Sequence, residues 1–384
     1  MQDTDFTHAI FVLNLPVPDD RRVWKQAEAI RDAGGAALVF CPAMRGHRPG
    51  RRRVDGVEVR YLRTYEGTGP LALAFEGVWN TLLCLAQIPL LRRSGVRSVQ
   101  VCNPPDTLFG LLAICRLLGM TTVYDQHDVA PAMASTHPGL RRLRPVFDWL
   151  ERSTVRFADV VLTSSEGQRT RLRAMGRDAM VVRSPPVDDD PTPRQTQGPS
   201  CHLGYLGVIG RADGLDDLID AIALLRDAEP DVTLTIAGDG PFRAHIEDLV
   251  AERDLGDTIS LAGWLRGDPL EAFLESIDAM VVSDPDSEYN HFCAMNKTME
   301  AMARQIPVIM RPLRENRTLT GEHRWITDGW EISDLADTIQ DFAGTPPGDR
   351  QVVAASLGER YRESTRWSDH RARYLGAVLP PSTS

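Results

Sequence analysis

Short apolar runs alternate with longer amphipathic segments along most of the chain. The runs are rich in Val, Ile and Leu, and segments with apolar residues at helical spacing lie between them. This pattern is typical of parallel strands that helices cover on both faces of a sheet. The sequence therefore predicts an α/β protein with doubly wound parallel sheets. The predicted strands are 9–13, 37–41, 57–62, 99–102, 122–125, 160–163 and 180–183 in a first series, and 203–206, 232–237, 259–261, 279–282 and 308–310 in a second.

A stretch without apolar periodicity separates the two series. Residues 184–200 are rich in Pro and acidic residues, which is typical of an interdomain linker. Ligands of doubly wound sheets bind beyond the carboxyl ends of the strands, so we expect two domains that face a central cleft. The predicted division is an N-terminal domain at 1–185, a linker at 186–200, a C-terminal domain at 201–360, and a tail at 361–384 that packs back on the N-terminal domain.

Charge is distributed unevenly between the two halves. The 384 residues include 43 basic and 53 acidic side chains, a formal net charge of −10. Residues 1–185 hold 25 basic and 18 acidic side chains, a net charge of +7, so the rest of the chain carries −17. The basic half suits an anionic lipid or another anionic partner, although an ordinary solvated surface explains it equally well. No nucleic-acid partner is expected, because the basic residues follow no recognisable nucleic-acid-binding pattern.

The most apolar stretch, residues 71–91, is predicted to be a helix. Its polar residues and its proline argue against a membrane-spanning segment. The apolar residues keep a rough helical period, which predicts a helix packed into the core. The arginines at 51–53 and 92–93 leave peripheral membrane contact open. The polar residues are Glu76, Asn80 and Gln87, the proline is Pro89, and the periodic apolar residues are Leu73, Val78, Leu82, Leu85 and Ile88.

The N-terminus and the cysteines favour a cytoplasmic protein. The first residues are acidic where a secretory signal needs basic ones. The six cysteines lie far apart and form no Cys-x-x-Cys pair, which indicates reduced thiols rather than disulfides or a zinc site. We therefore expect the protein in the cytoplasm, at the inner face of the membrane if it contacts one.

One helix in the second half carries the clearest chemical signal. Residues 296–303 follow a predicted strand and a polar stretch, so the helix begins at the carboxyl edge of the second sheet. Its N-terminus offers free N–H groups to an anion, and Lys297 adds a full positive charge there. Glu300 lies one turn further on the same face, where a carboxylate can accept hydrogen bonds from a vicinal diol. A Lys and a Glu on a solvated helix would show the same spacing.

The lysine count bears on that choice. Only Lys25 and Lys297 among the 43 basic residues are lysines. Where arginine has replaced lysine almost everywhere, a remaining lysine indicates a site that needs a compact ammonium, unless it survives by chance.

A set of motifs occurs in order between about residue 10 and residue 320. In this order and spacing the set resembles glycosyltransferase family 4. The resemblance implies the GT-B fold, with two Rossmann-like domains that face a central cleft. It also implies a retaining transfer of a sugar from a nucleotide-diphosphate donor to an acceptor hydroxyl. The motifs are Asp20-Arg21-Arg22-Val23-Trp24, Asp125-Gln126-His127-Asp128, Ala158-Asp159-Val160-Val161, Gly204-Tyr205-Leu206-Gly207, Asp239-Gly240-Pro241, Asp284-Pro285 with Asn290, and Asn296-Lys297 with Glu300-Ala301-Met302-Ala303.

The resemblance implies roles for single residues. Glu300 would hold the nucleotide ribose, and His127 would approach the donor sugar. The remaining donor-binding residues are expected to be Gly207, Gly210, Gly240, Gly263, Trp264, Asn290 and Asn296. No metal and no cofactor beyond the nucleotide-sugar co-substrate are implied. The donor base is expected to be that of UDP first and of GDP second, and the acceptor a lipid-linked sugar, an envelope polymer or a small natural product.

The sequence departs from the family pattern at four positions, one of which is Gln305, where the family has a glycine. Phe292 stands where the family has the first glutamate of its Glu-x7-Glu motif, and Val208 and Asp213 stand where it has the cations that hold the diphosphate. We expect Lys297 first, and Arg211 second, to stabilise the leaving diphosphate instead.

Two other classes of function would also use Rossmann-like domains. A nicotinamide-dependent oxidoreductase would need a glycine-rich turn after the first strand, and residues 10–20 contain no glycine. A sugar-nucleotide isomerase or hydrolase on the same fold stays open because of Phe292, and a pseudo-glycosyltransferase stays open because Val208 and Asp213 replace the usual diphosphate cations. Asp284-Pro285-Asp286 resembles a metal–diphosphate motif, but it follows a late strand of the second domain, so no metal requirement is expected.

Overall fold

A computed structural model describes residues 7–44, 46–67, 69–136, 139–186, 201–226 and 231–379. The chain divides into two compact units. The first unit comprises Met1–Ser184 and Trp367–Ser384, and the second comprises Pro185–Arg366. The predicted linker, apart from Pro186, lies outside the described residues.

The first unit is built on an eight-stranded sheet. Its strand order is β3-β4-β2-β1-β5-β6-β7-β8, and every neighbouring pair except β3 and β4 is parallel. The prediction of parallel strands between helices is thus confirmed for this half. The strands are β1 (His8–Phe11), β2 (Ala37–Pro42), β3 (Gly50–Val54), β4 (Val57–Leu62), β5 (Ser98–Cys102), β6 (Thr121–Gln126), β7 (Val160–Thr163) and β8 (Met180–Val181).

Helices cover both faces of this sheet. The helix α1 packs on one face, and α2, α3, α4, α6 and α7 pack on the other. Each buries apolar side chains against the buried Val, Ile, Leu and Phe residues of the strands, which is the main stabilising contribution. The helices are α1 (Arg21–Asp32), α2 (Pro70–Leu85), α3 (Ile88–Arg93), α4 (Phe109–Leu117), α5 (Ala130–Thr136), α6 (Arg144–Phe157) and α7 (Glu166–Ala174).

The strand β3 is absent from the sequence prediction. It contains Arg51, Arg52 and Arg53, so it lacks the apolar signal of a strand. It pairs antiparallel with β4 at the edge of the sheet, where the Arg51 guanidinium forms an ion pair with Glu58 at 2.5 Å. A charged edge strand of this kind discourages pairing with another chain.

The expectation of a core-packed helix at 71–91 is wrong for the middle of α2, whereas Leu85 and Ile88 pack against the core of the first unit. Val78 and Leu82 are 61% and 57% exposed. The side of α2 that faces the first unit instead carries Gly77, Asn80 and Cys84, which are buried. The periodic apolar residues are therefore divided between the exposed side of α2 and the core.

The second unit repeats the architecture on a smaller sheet. Its five strands are all parallel, in the order β11-β10-β9-β12-β13, and two apolar clusters lie on its two faces. The strands are β9 (Cys201–Val208), β10 (Val232–Asp239), β11 (Ile259–Gly263), β12 (Ala279–Val282) and β13 (Val308–Met310). The helices are α8 (Leu215–Leu225), α9 (Arg243–Glu252), α10 (Asp268–Ser276), α11 (Asn296–Ala303), α12 (Arg314–Thr320), α13 (Ile332–Gly344) and α14 (Pro347–Ser364).

The last helix belongs to the first unit. This helix, α15 (Trp367–Val378), packs against α1 on the face opposite to α2. The buried Tyr374 hydroxyl donates to Gln100 Oε1 of β5 at 2.9 Å, which ties the end of the described chain to the centre of the first sheet.

Candidate functional site

The loops at the carboxyl edge of the second sheet lie close together because glycines remove side chains there. A Cβ on Gly238 would lie 1.8 Å from the Gly207 carbonyl oxygen, and one on Gly240 would lie 2.4 Å from that of Ile209. The Ile209 N–H donates to the Asp239 carbonyl, and the Phe242 N–H donates to the Ile209 carbonyl. The loop after β9 is therefore fixed to the loop after β10, and Gly207 and Gly240 lie in this contact.

Lys297 lies in a buried cluster of acidic and aromatic side chains. Its Nζ is 2.8 Å from Asp284 Oδ2 and 4.0 Å from Asp213 Oδ1, and it lies 4.4 Å from the centroid of the Tyr205 ring. Only 6% of its side chain is exposed. These four residues, which we call the lysine cluster, come from α11, the loop after β12, the 3₁₀ turn after β9, and β9 itself.

Electrostatics hold the lysine cluster together. Burial alone would lower the pKa of Lys297, but Asp284, Tyr205 and Asp213 outweigh it and raise that pKa above its usual value. Burial also raises the pKa of Asp213, which Lys297 partly counteracts. Lys297 is therefore charged, and its charge is compensated before any ligand binds.

Glu300 lies one turn beyond Lys297, and an arginine holds its carboxylate. Arg304 Nε donates to Glu300 Oε1 at 2.7 Å, and its two terminal nitrogens donate to Glu271 at 2.6 and 2.9 Å. Glu300 is buried, with 6% of its side chain exposed. Lys297 and Glu300 thus lie one turn apart near the start of α11, but each of them forms an ion pair with a different residue.

Asn290 joins two loops of the same edge. Its Nδ2 donates to the carbonyls of Ala212 at 3.2 Å and Pro285 at 3.0 Å, and Ser287 Oγ accepts from its backbone N–H. Both amide hydrogens are thus used inside the protein. This geometry gives Asn290 a positioning role and leaves its carbonyl oxygen as the group that could meet a ligand.

The turn after β9 carries the remaining predicted residues of this loop. Arg211 is exposed, and its guanidinium lies 5.0 Å from the Phe242 ring. The Gly210 N–H donates to Asp213 Oδ2 at 3.0 Å. Asp213 therefore stabilises this turn in addition to its contact with Lys297. Asn296, at the start of α11, is exposed. Lys297 and Arg211, the two expected diphosphate cations, therefore lie in very different surroundings.

Gly263 and Trp264 mark the end of β11. Gly263 has a φ of +73°, a left-handed conformation that favours glycine. Trp264 is 55% exposed, and the Arg266 guanidinium lies 5.7 Å from its ring. An exposed aromatic ring at the carboxyl edge of the sheet can stack on a planar ligand.

The sequence analysis missed a buried arginine at the same edge. Arg311 directly follows β13 and is 2% exposed. Its Nη1 forms an ion pair with Asp217 of α8 at 2.8 Å, while its Nε and Nη2 have no hydrogen-bond partner among the described residues. No motif pointed to it; a charged residue directly after an apolar strand was the only signal.

The first unit holds a second charged cluster at the carboxyl end of β6. Asp125 Oδ1 lies 2.5 Å from Arg22 Nη2, and Asp125 Oδ2 lies 3.2 Å from His127 Nε2. Gln26 and Gln100 donate to the same Oδ2 at 2.7 and 3.2 Å. We call these five residues the aspartate cluster. The motifs included His127, Asp125 and Arg22, but nothing in the sequence indicated that these three residues bind one another. Gln26 and Gln100 belong to no motif.

The aspartate cluster fixes the charge of His127. Burial opposes ionisation, but Arg22 and His127 outweigh it and hold the pKa of Asp125 well below its usual range. Burial likewise acts to lower the pKa of His127, and Asp125 outweighs it, so this pKa lies above the usual value. The ion pair with Asp125 therefore favours the imidazolium form of His127, in which both ring nitrogens carry hydrogen-bond donors.

Cys102, Asp125 and His127 also form the candidate metal-binding group of the described residues. Their ligand atoms all lie within 4.8 Å of one another. A divalent cation there would lie next to the Arg22 guanidinium, which already binds Asp125. Burial also raises the pKa of the Cys102 thiol, whereas a metal ligand would be a thiolate. The donor set therefore fits a hydrogen-bonded ion pair better than a metal.

Both halves of the chain match models of glycosyltransferase domains. Residues 20–187 match a "glycosyl transferase 4-like domain", and residues 200–344 match "glycosyl transferases group 1". The 2-deoxystreptamine glucosyltransferase of Streptomyces kanamyceticus is 28% identical over 252 residues, 60% of this chain and 63% of that protein. The alignment thus spans less than two thirds of the relative's length.

Solved structures share the architecture. Sucrose-phosphate synthase from Thermosynechococcus elongatus superposes with a TM-score of 0.77 at 16% identity, covering 96% of this chain and 97% of that one. HepE of Anabaena, solved in complex with UDP, superposes with a TM-score of 0.67 at 16% identity, covering 97% and 99%. These likenesses show the fold, which is that of the GT-B class with two Rossmann-like domains. The chain belongs to the GT-B glycosyltransferases of the family 4 type.

Proposed function

We propose that the protein transfers a sugar with retention of configuration from a nucleotide-diphosphate donor to an acceptor hydroxyl, without a metal ion. UDP is the first candidate for the donor nucleotide and GDP the second. HepE, which shares the fold, was solved with UDP, and this supports a uridine donor. The relative named for 2-deoxystreptamine supports a sugar or cyclitol as the acceptor. The reaction is expected in the cytoplasm.

The observation that carries the proposal is the pair Lys297 and Glu300 on α11. Both are buried charges, one turn apart, on a helix that begins at the carboxyl edge of a parallel sheet. That edge is where ligands of doubly wound sheets bind. An ammonium and a helix N-terminus suit a diphosphate, and a carboxylate suits the hydroxyls of a ribose.

In the proposed reaction the bond between the anomeric carbon and the diphosphate oxygen breaks while the acceptor oxygen bonds to that carbon from the same face. The acceptor's proton goes to the leaving phosphate oxygen, so no protein base is required. Lys297, Arg211 and backbone N–H groups meet the charge that grows on the diphosphate, as a preorganised electrostatic contribution. His127, as an imidazolium, donates a hydrogen bond to the donor sugar.

The proposed role of Lys297 can be tested with one variant that should weaken nucleotide binding and one that should strengthen it. The Lys297→Ala variant is expected to lose most turnover and nucleotide affinity. The Asp213→Asn variant keeps an acceptor for the Gly210 N–H but removes a negative charge 4.0 Å from Lys297. It is therefore expected to bind nucleoside diphosphates more tightly. Unchanged turnover and affinity in Lys297→Ala would remove Lys297 from the diphosphate site.

The donor is identified by thermal shift with UDP, GDP, ADP and CDP sugars, because a ligand of the folded state raises its melting temperature. The stabilising donor is then incubated with 2-deoxystreptamine and other sugar or cyclitol acceptors. NMR of the product reports the configuration at the anomeric carbon. Inversion would contradict the retaining mechanism, and loss of activity in EDTA that manganese or magnesium restores would contradict metal independence.

A pseudo-glycosyltransferase, or a sugar-nucleotide isomerase or hydrolase, is the alternative. It is favoured by Phe292, a half-buried apolar residue where the family has an acidic one. Donor consumption that yields free sugar or an epimer without any acceptor would favour this alternative over transfer.

A further inference from the structure

The helix α2 turns its bulky apolar side away from the protein. Leu71 is 89% exposed, and Phe75, Val78, Trp79 and Leu82 are each more than two fifths exposed. The five residues recur at helical spacing and lie along one side of the helix. Exposing a large apolar surface to water is unfavourable, so a patch of this kind indicates a binding surface for a partner or a membrane.

The inward side of α2 fixes this orientation. A Cβ on Gly77 would lie 2.9 Å from Thr107, so the helix backbone packs closely against the first unit there. The Thr81 hydroxyl donates to the Thr107 hydroxyl at 3.0 Å. Asn80 is buried, and its amide both donates to and accepts from the Tyr65 backbone at 3.0 Å. Rotating the helix to bury its apolar side would break these contacts.

Two neighbouring helices extend the exposed side. The helices α2, α4 and α6 pack side by side on one face of the first sheet. Trp149 of α6 is 57% exposed and packs edge-on against Phe109 of α4 at 5.4 Å. We call the exposed apolar residues of the three helices the outer apolar face: Leu71, Phe75, Val78, Trp79, Leu82, Ile114, Leu117, Leu118, Val146 and Trp149.

The second unit shows no comparable patch among its described residues. Its large exposed apolar side chains are scattered over separate elements: Val208, Leu224, Trp264 and Val352. Scattered residues of this kind are ordinary on protein surfaces, whereas ten on three adjacent helices are not.

Arginines flank the outer apolar face at both ends. Arg141 and Arg142 precede α6 at the carboxyl edge of the sheet, and Arg92 and Arg93 end α3 at the opposite edge. All four are exposed, and none has an ion-pair partner in the described part of the chain. Glu76 is the one acidic residue of α2, and its carboxylate accepts from the Gly67 N–H at 3.0 Å. An apolar surface with unpaired arginines along its margins is complementary to an anionic lipid surface.

The helix lies along the protein rather than projecting from it. Within the described residues, Leu71–Arg93 is long and apolar enough to cross a membrane by length and composition alone. The helical hydrogen bonding is interrupted there, because α2 ends at Leu85 and α3 begins at Ile88. Both helices bury side chains in the first unit, through Cys84 and Leu91.

We propose that the outer apolar face docks the protein on an anionic lipid bilayer, with α2 lying in the plane of the interface. Its leucines and aromatic rings enter the boundary between headgroups and acyl chains, and the four arginines contact the headgroups. A second copy of this chain could also cover an apolar face, but it would not require unpaired arginines. The proposal stands on this surface alone and does not depend on the reaction.

The test is co-sedimentation of the full chain with vesicles of phosphatidylcholine alone or with a third phosphatidylglycerol. We expect binding to the anionic vesicles, weaker binding at high salt, and little binding to the neutral ones. The triple variant Leu71→Ser, Val78→Ser, Leu82→Ser should bind at least tenfold more weakly. Its matched control, Leu224→Ser with Val352→Ser, changes exposed apolar residues of the second unit and should bind normally.

The arginines are tested separately. Arg92→Gln with Arg93→Gln is expected to weaken binding to anionic vesicles about tenfold or more while leaving the circular dichroism spectrum and the oligomeric state unchanged. Equal binding to both kinds of vesicle, or unaltered binding by the serine variant, would overturn the proposal. Absence of binding to either kind of vesicle would also overturn the proposal. If the protein were in that case a dimer that the serine variant dissociates, the outer apolar face would be the interface with a second copy.

Discussion

The two units place opposite charges at the centres of their buried clusters. In the first unit the Asp125 carboxylate lies between two cations, Arg22 and His127. In the second unit the Lys297 ammonium lies between two carboxylates, Asp284 and Asp213. Both clusters lie at the carboxyl edge of a parallel sheet, and in both of them burial alone would favour the neutral forms of the charged groups.

The difference shows what each cluster can offer to a ligand. The aspartate cluster has one more cation than anions, so its His127 imidazolium is available to an electron-rich group. The lysine cluster has one more anion than cations, so its carboxylates would weaken the attraction between Lys297 and a diphosphate. In each cluster the central group keeps two like charges apart, and its removal should cost more than a single ion pair does.

The largest effect is expected for Asp125→Asn. This change leaves Arg22 and His127 buried without a counter-charge, so we expect a loss of about 4 kcal/mol in the free energy of unfolding. The pKa of His127 should also fall towards or below its usual value, because Asp125 is the main group that raises it. Denaturant unfolding and histidine NMR titration measure the two effects.

The matched control is Asp178→Asn. Asp178 also binds two arginines, Arg169 and Arg173, but it does so at the exposed surface. Exposed ion pairs contribute little, so this variant should unfold like the wild type. Equal behaviour of the two variants would remove the distinction between a buried cluster and a surface network.

The next effect is expected for Lys297→Met. The methionine fills a similar volume but leaves Asp284 and Asp213 facing each other, so we expect a loss of about 3 kcal/mol in the free energy of unfolding. Adding Asp213→Asn to this variant should restore part of that loss, because only one carboxylate then remains charged. Without such recovery, the stability of the second unit would not depend on the balance of charges around Lys297.

The control for this change is the other lysine. Lys25 is half-buried, with its Nζ 5.9 Å from the Trp367 ring. Lys25→Met in the same unfolding experiment should cost about 1 kcal/mol or less.

Each unit also holds a histidine that resists protonation. Burial lowers the pKa of His8 to about 4 in the first unit, against a hydrogen bond with Gln100, and it lowers that of His323 to about 4 in the second, against Glu322. The unfolded chain binds these protons near pH 6.5, so stability is full above that pH and falls as the pH drops towards 4. For His8 the loss amounts to about 3 kcal/mol.

Unfolding of the His8→Gln variant at several pH values checks this expectation. Its free energy of unfolding should vary less between pH 6.5 and 4 than that of the wild type, because the group that takes up the proton on unfolding is gone. A slope identical to that of the wild type would mean that His8 does not contribute to acid sensitivity.

The strands could be predicted from the sequence because their burial leaves an apolar signal. The bounds of β4, β7, β12 and β13 coincide with the predicted ones, and the other predicted strands differ from the observed bounds by a few residues at one or both ends. The strand β3 could not be predicted, since an edge strand with three exposed arginines satisfies its hydrogen bonds while only Val54 packs against a core. Periodicity also could not distinguish an inward from an outward apolar side on α2, because both have the same spacing.

The site could be predicted only in part, for a related reason. The motifs supplied His127, Lys297 and Glu300, which are now located on known elements. The motifs also contained Asp125 and Asp284, but they did not show that these carboxylates are the partners of His127 and Lys297, because tertiary packing alone brings Asp284 to Lys297. Arg304, the partner of Glu300, belongs to no motif. The effect of these partners on the charges of His127 and Lys297 could not be predicted from the sequence for this reason.

The smallest change in stability is expected for substitutions of Asn290. These variants distinguish a positioning role of Asn290 from direct contact with the donor. Because both amide hydrogens bind the carbonyls of Ala212 and Pro285, Asn290→Ala should lower the free energy of unfolding by about 1 to 2 kcal/mol. Asn290→Asp should cost more, since a carboxylate would face the two carbonyl oxygens. The exposed Asn14→Ala is the control and should unfold normally.

Kinetics with matched nucleotide sugars then decide between the two roles of Asn290. If it acts through the loops, discrimination between donor sugars should fall in proportion to stability across the alanine and aspartate variants, because both follow from the position of Ala212 and Pro285. If its carbonyl oxygen contacts the donor, Asn290→Ala should lose discrimination well beyond its loss of stability, and Asn290→Asp, which keeps an acceptor there, should retain more of it. Because both amide hydrogens already bind carbonyl oxygens of the protein, we expect discrimination to fall in proportion to stability.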